Sequence, residues 1–160
     1  MTNDKKYVIF DLDGTLADIT KRRKAATKPN GKMDWDVFFD PAYINLDEPN
    51  QPVIDTAKSL KASGYDIVIF SGRSKGTKDA TVAWLKEHGV SYSVLKMRPT
   101  SQDWKYMPDD QLKQHWLDDL FPVGSSSRDG LHMVFDDRNK VVDMWRANGI
   151  PCFQVAPGDF

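Results

Sequence analysis

Apolar runs of four to six residues recur along the chain and alternate with stretches of helical periodicity. The first, Tyr7-Val8-Ile9-Phe10, has no polar alternation, the pattern of a strand buried on both faces. Tyr65-Asp66-Ile67-Val68-Ile69-Phe70 predicts a second strand, Tyr92 to Met97 a third, Leu131 to Phe135 a fourth and Cys152 to Val155 a fifth. Pro52 suits the first turn of an intervening helix, with Ile54, Ala57 and Leu60 on its apolar face and Gly64 as terminator. A second helix runs from about Lys75 to His88, with Ala80, Trp84 and Leu85 inward. Pro108 opens a third, in which Leu112, Trp116 and Leu120 repeat every four residues. A fourth spans about Asn139 to Asn148, presents Val141, Met144 and Trp145, and stops at Gly149. Strands alternating with helices imply an α/β fold: a doubly wound parallel sheet with right-handed crossovers, covered on both faces. Residues 16–50 interrupt the pattern. Pro29, Gly31, Pro41 and Pro49 make them read as an irregular insert, with a short helical turn around Trp35, Phe38 and Phe39.

Length and composition add bounds. A chain of 160 residues, 40% hydrophobic and 28% charged, predicts one soluble globular domain over 1–160, with 16–50 as a small lid. No apolar run approaches the roughly 20 residues needed to span a bilayer, so no membrane association is expected. Met1 to Lys6 lead straight into the first strand, and nothing there resembles a signal peptide. Cys152 is the only cysteine, which excludes an intrachain disulfide and fits a reducing cytoplasm. The net charge of −1 gives no overall signal for nucleic acid, but its distribution is uneven. Lys21, Arg22, Arg23, Lys24, Lys28 and Lys32 have no acid between them, and Asp34, Asp36, Asp40, Asp47 and Glu48 follow. The basic cluster could track a phosphate backbone, with Trp35, Phe38 or Tyr43 as stacking surfaces, or form a solvated loop balanced by those acids.

The chemistry sits at the strand ends. The first strand delivers Asp11 and Asp13, and Gly14 lets the chain turn sharply away. The second ends in Ser71-Gly72-Arg73, and the fourth in Asp136-Asp137-Arg138. In an open parallel sheet these carboxyl ends share one edge, where ligands bind. Two acids separated by one residue suggest a nucleophile or metal ligand paired with a general acid. The acids suit a hard cation with oxygen ligands, and their number favours Mg²⁺. His88, His115 and His132 show no zinc spacing.

Asp11-Leu12-Asp13-Gly14-Thr15 has the form of the first motif of the haloacid dehalogenase-like (HAD) phosphatases. Ser71, Lys113 and Asp136/Asp137 follow in the order of that superfamily's remaining motifs. The resemblance implies that Asp11 attacks phosphorus to form an aspartyl-phosphate, and that Asp13 serves as general acid and then base. It also implies that Lys113, Ser71 and Thr15 hold the phosphoryl oxygens. The metal ligands would be Asp11, the Asp13 backbone carbonyl and Asp136, with Asp137 ligating or holding a metal-bound water. Plainer readings remain open at this stage: Lys113 lies four residues after Asp109 and suits a helix ion pair, and Asp137 could cap the following helix.

Val68 to Lys78, Asp109 to Lys113 and Asp136 to Phe160 further resemble the phosphatase half of phage-type bifunctional polynucleotide kinase/3′-phosphatases. That likeness implies a nucleotide or nucleic-acid 3′-phosphate end as substrate. It also implies arginines in the site, which Arg22, Arg73, Arg98 and Arg138 could supply, beside Gly72. No Gly-x-x-x-x-Gly-Lys-Ser/Thr loop is present, so a 5′-kinase activity would require a separate kinase, with a ligase as a further possible partner. A phage origin would place the protein in the host cytoplasm. Two other readings compete: a 5′-nucleotidase of the same superfamily acting on small mononucleotides, and a non-catalytic domain that binds a partner.

Overall fold

The computed structural model describes residues 4–160. Residues 1–3 of the stretch read as leading into the first strand lie outside the described residues. Strand β1 (Lys6–Phe10) lies at the centre of a five-stranded sheet with β4 (Tyr65–Ser74), β5 (Val94–Arg98), β6 (Leu131–Asp136) and β7 (Cys152–Gln154). Their order is β5-β4-β1-β6-β7, and every pairing is parallel. Parallel neighbours need crossovers, and the helices supply them: α3 (Gln51–Ala62) and α4 (Lys78–Glu87) on one face, α6 (Asp109–Leu120) and α8 (Asn139–Ala147) on the other.

The unbroken apolar strands follow from this sandwiching. Val8, Phe10, Ile67 and Ile69 pack with Ile54, Ala57, Trp84 and Leu85 on one face. Ile9, Val68 and Phe70 pack with Leu112, Trp116, Val141 and Trp145 on the other. Successive strand residues point to opposite faces, so each must be apolar when both faces are covered. The chain runs from β1 outward to β4 and β5, then returns to β6 on the far side of β1. This reversal opens a crevice at the carboxyl ends of β1 and β6.

The sheet agrees with the sequence reading, with β4 extended past Phe70 to Ser74. Its register with β5 shifts between Ser71 and Ser74, so Gly72 and Arg73 form a bulge. Two short helices, α5 (Gln102–Lys105) and α7 (Ser126–Gly130), have no apolar period and were not anticipated.

The expectation that residues 16–50 are irregular is corrected. Strands β2 (Ala17–Asp18) and β3 (Glu48–Pro49) pair antiparallel and form a stem. Asn50 closes the base of this stem, donating from its backbone N–H to the Leu16 carbonyl and from Nδ2 to the Thr15 carbonyl, both at 2.9 Å. The stem carries α1 (Thr20–Ala26), α2 (Trp35–Phe38) and a 3₁₀ helix at Pro41–Leu46. Asp34 and Asp40 accept backbone N–H bonds at the starts of α2 and the 3₁₀ helix. Ile44, fully buried, joins the core. Among the described residues no helix is long and apolar enough to cross a membrane.

Candidate active site at the carboxyl edge of the sheet

The three central strands end side by side, so Asp11, Ser71 and Asp136 converge although they are far apart in sequence. Asp11 is fixed by its backbone N–H, which donates to the Phe135 carbonyl on β6 at 2.9 Å. The Thr15 hydroxyl donates to its Oδ2 at 3.0 Å and the Lys113 amine to its Oδ1 at 2.8 Å. Lys113 also donates to Asp136 Oδ2 at 3.0 Å and is buried. It is therefore not the exposed helix pair that its spacing from Asp109 allowed. Trp145, a core residue on α8, donates its indole N–H to the same Asp136 oxygen at 3.2 Å.

One carboxylate oxygen from each of Asp11, Asp136 and Asp137 lies within 4.8 Å of the others, and all three residues are buried. Burial, together with the negative charge of Asp136, pushes the Asp11 carboxyl well above its usual range, against the pull of Lys113. Burial raises Asp137 too, partly offset by a hydrogen bond with Asp11. Burial opposes the charged form of Lys113, but Asp11 and Asp136 outweigh it and hold the amine protonated. Three acids thus share one internal cation. An oxygen-only set with surplus negative charge fits a hard divalent cation.

Gly14 matters for this cluster. Its φ of +83° is a left-handed conformation, and a Cβ there would collide with the Asp137 carboxylate. Gly14→Ala is expected to destabilise the fold by about 2 kcal/mol or more and to displace Asp137. Thermal unfolding checks this as a lowered Tm of the variant. Asp137 does not cap the next helix: α8 has no side-chain cap.

Asp13 turns the other way. Its Oδ1 accepts from Arg22 Nη2 and Arg73 Nε, both at 2.8 Å. Burial opposes its ionisation, but Arg73 and then Arg22 outweigh that and hold the carboxyl below the usual range. Both arginines are buried and committed to internal partners. Arg22 also donates to Asp47 Oδ1 and the Phe38 carbonyl, and Arg73 to Asp47 Oδ2 and the Thr81 hydroxyl. The donors of Arg22 and Arg73, expected at the substrate, are taken up here by Asp13 and Asp47.

Arg98 is likewise turned inward. It donates to the carbonyls of Gly72, Trp104 and Met107 and pairs with Asp109, so it braces the loop after Ser71. Gly72 lies against Asp109, where a Cβ would stand 2.7 Å from Oδ1. Ser71 is buried, and its hydroxyl accepts from the Arg73 backbone N–H at 3.1 Å. Arg138 pairs with Asp109 at 3.2 Å and donates to the Phe160 carbonyl, and its side chain is the most exposed of the four arginines, at 34% against 13% for Arg98.

Asp47 and Asp109 were not singled out from the sequence. Asp47 reaches the site from the insert, with a side chain fully buried between the two arginines. Its carbonyl also accepts the Trp84 indole N–H at 3.0 Å. Burial pushes its carboxyl up to about 6 in spite of Arg73 and Arg22. An acid whose folded pKa exceeds its unfolded value adds stability below the unfolded pKa, near 4, and loses it as the pH rises through the folded value. Asp47→Asn should therefore lack this slope. In unfolding free energies measured by denaturant across the pH range from about 4 to about 6.5, the variant should gain on wild type by about 2 kcal/mol as pH rises. Asp13, with its lowered pKa, acts in the opposite sense and only below about pH 4.

A parallel sheet in this order, with paired acids ending its central strand, a buried lysine and an acidic pair on the neighbouring strand, defines a HAD-fold phosphatase. Solved structures with that fold superpose well. A haloacid dehalogenase-like hydrolase from Streptococcus pneumoniae matches 94% of this chain and 84% of its own, at TM-score 0.65 and 14% identity. The chain belongs to the family of polynucleotide kinase PNKP phosphatase domains, whose family model matches residues 5–160, and it is thus a phosphoric monoester hydrolase. It is also 33% identical to a chain of the Pnkp1/Rnl/Hen1 complex, at TM-score 0.74 over 98% of its length and 47% of that chain. It is 31% identical over 150 residues to a protein of Autographa californica nuclear polyhedrosis virus, provisionally named a bifunctional polynucleotide kinase/RNA ligase. That match covers 91% of this chain and 18% of the viral protein. The chain thus spans under half the length of these two relatives.

Proposed function

We propose that this protein is a Mg²⁺-dependent phosphomonoesterase that removes 3′-phosphates from nucleic-acid ends through an aspartyl-phosphate on Asp11. The observation that carries the reading is the placement of Asp11. It stands at the carboxyl end of the central strand with Lys113 at 2.8 Å, Thr15 at 3.0 Å and the Asp136/Asp137 pair beside it. Membership of the polynucleotide kinase phosphatase-domain family supports the substrate class.

Asp11, Asp136 and Asp137, with the Asp13 backbone carbonyl, would hold the cation. Mg²⁺ bound there supplies positive charge that favours the ionised acids and offsets charge on the phosphoryl oxygens. An Asp11 carboxylate oxygen attacks phosphorus in line as the ester P–O bond breaks, and the departing 3′ oxygen takes a proton from Asp13. Asp13 then accepts a proton from the water that attacks the aspartyl-phosphate, releasing inorganic phosphate and restoring Asp11. Lys113, Ser71 and Thr15 stabilise the phosphoryl oxygens.

The acid role asks Asp13 to carry a proton, although Arg22 and Arg73 favour its charged form. A substrate phosphate dianion beside Asp13 opposes that effect, because a like charge raises a carboxyl pKa. Asp13 is also the partly exposed member of its cluster, with 24% of its side chain accessible against 0% for both arginines. Residues 16–50 act as a small lid, clamped over this acid by Arg22 and Asp47. A separate kinase or ligase would complete an end-healing pathway.

Phosphate release from matched 3′- and 5′-phosphorylated oligonucleotides and mononucleotides, with Mg²⁺ or EDTA, tests the reading. The expected result is turnover of 3′-phosphates only, lost on chelation. Equal turnover of mononucleotide 5′-phosphates would instead identify a 5′-nucleotidase.

A further inference from the structure

The insert carries a surface that the phosphoryl site does not use. Helix α1 exposes Lys21, Arg23 and Lys24, and the turn after it exposes Lys28 and Lys32. That turn is held in shape by the Thr27–Met33 bridge and by a 2.8 Å bond from the Lys28 N–H to the Lys32 carbonyl. Lys21 pairs with Glu48, but Lys24, Lys28 and Lys32 have no ion pair among the described residues. Asp34, Asp36 and Asp40 follow in the sequence, and Arg23, Lys24, Lys28 and Lys32 exceed them by one charge, four against three.

Beside these cations Trp35 is 60% exposed, and Phe39 is partly exposed. Their rings are stacked, with centroids 5.8 Å apart and planes at 21°, so Trp35 is the more exposed face of one aromatic platform. Phe38 buttresses it edge-on, 5.6 Å from Trp35 and 5.1 Å from Phe39. The Arg22 guanidinium lies 4.6 Å from the Phe38 ring and bonds to Asp13 at 2.8 Å. One ring and one guanidinium therefore separate the platform from the acid at the reaction centre.

Unpaired ammonium groups next to exposed ring faces are the two elements of single-strand recognition. The cations meet phosphates, and the rings stack on bases, whose faces are free only outside a duplex. A purely apolar partner would account for the rings but not for three lysines without an ion pair beside them. We infer that the α1–α2 surface holds the single-stranded segment preceding the 3′ end, with Trp35 and Phe39 stacking on its bases and Arg23, Lys24, Lys28 and Lys32 pairing with its phosphates. This assignment rests on the phosphatase reading above and specifies a polymer, not a mononucleotide, as its substrate.

Binding tests it independently of turnover. In an Asp11→Asn background, a fluorescent single-stranded oligonucleotide with a 3′-phosphate is titrated by anisotropy at several salt concentrations. Trp35→Ala is expected to raise Kd roughly tenfold, and Phe39→Ala to act in the same direction. Lys28→Gln combined with Lys32→Gln should flatten the salt slope by about 0.7 per lost phosphate contact. In the active protein, Trp35→Ala should lower the ratio of oligonucleotide to mononucleotide 3′-phosphate kcat/KM about tenfold, mainly through KM. Unchanged Kd in these variants overturns the inference and leaves the surface to a protein partner. Equal binding of a blunt duplex, equally sensitive to Trp35→Ala, overturns it too. Failure of the phosphatase reading is a different result: no phosphate release from any phosphorylated nucleotide, whatever the oligonucleotide affinity.

Discussion

Asp11→Asn is expected to lower phosphate release by roughly 10⁴-fold or more, because in the proposed mechanism an amide cannot replace the attacking carboxylate oxygen. The loss should fall on kcat, and phosphate release from a 3′-phosphorylated oligonucleotide measures it directly. Stability should respond in the opposite sense. Asp11 is buried against Asp136 and Asp137, and its ionisation is disfavoured by burial and by Asp136. A neutral isostere relieves that repulsion, so Tm without added metal should hold or rise. If the proposed Mg²⁺ site is right, Mg²⁺ should raise the Tm of the wild type more than that of the variant, which lacks one of the proposed ligands. Activity within tenfold of wild type would place the nucleophile elsewhere.

Lys113→Met should produce the largest loss of stability. It removes the one amine that bonds to both Asp11 and Asp136, at 2.8 and 3.0 Å, and leaves buried acids uncompensated. Breaking a buried pair from one side costs about 3–5 kcal/mol. Denaturant unfolding at neutral pH reads this, and added Mg²⁺ should narrow the gap by supplying positive charge to the same acids. Activity should fall a further 10²- to 10³-fold, roughly the effect of losing a charge-stabilising donor. In the double variant with Asp11→Asn the stability loss should be less than additive, because the carboxylate that needed the lysine is no longer charged. Additive losses would show that Lys113 and Asp11 do not act as a unit.

The sheet was legible because burial on both faces leaves its strands no polar positions except at their ends. Val8, Ile9 and Phe10 are fully buried, and the chain becomes polar only at Asp11. Asp11, Ser71 and Asp136 come to one edge for the same reason, because parallel strands deliver their carboxyl ends together, whereas Lys113 reaches them from helix α6. Helix α1 was hidden because its inward positions are Arg22 and Ala26, so no apolar period marks it. Asp47 was hidden because its role depends on two arginines 25 and 26 residues away on opposite sides. Read alone, it was one more acid balancing a basic loop.

The same contrast holds for Arg22, Arg73 and Arg98. Their type suggested phosphate contacts, since arginine offers several donors in a planar fork. Which acceptor occupies that fork is settled by packing, and here the acceptors are Asp13, Asp47, Asp109 and backbone carbonyls. The sequence by itself determined the α/β fold and the acids at its edge, because both follow from local pattern and strand direction. Only the tertiary structure decided that the insert is a stem-closed element clamped onto Asp13 by Arg22 and Asp47. Ion pairing across long sequence separations leaves no periodic trace in the chain, and it forms only where the fold removes the competing water.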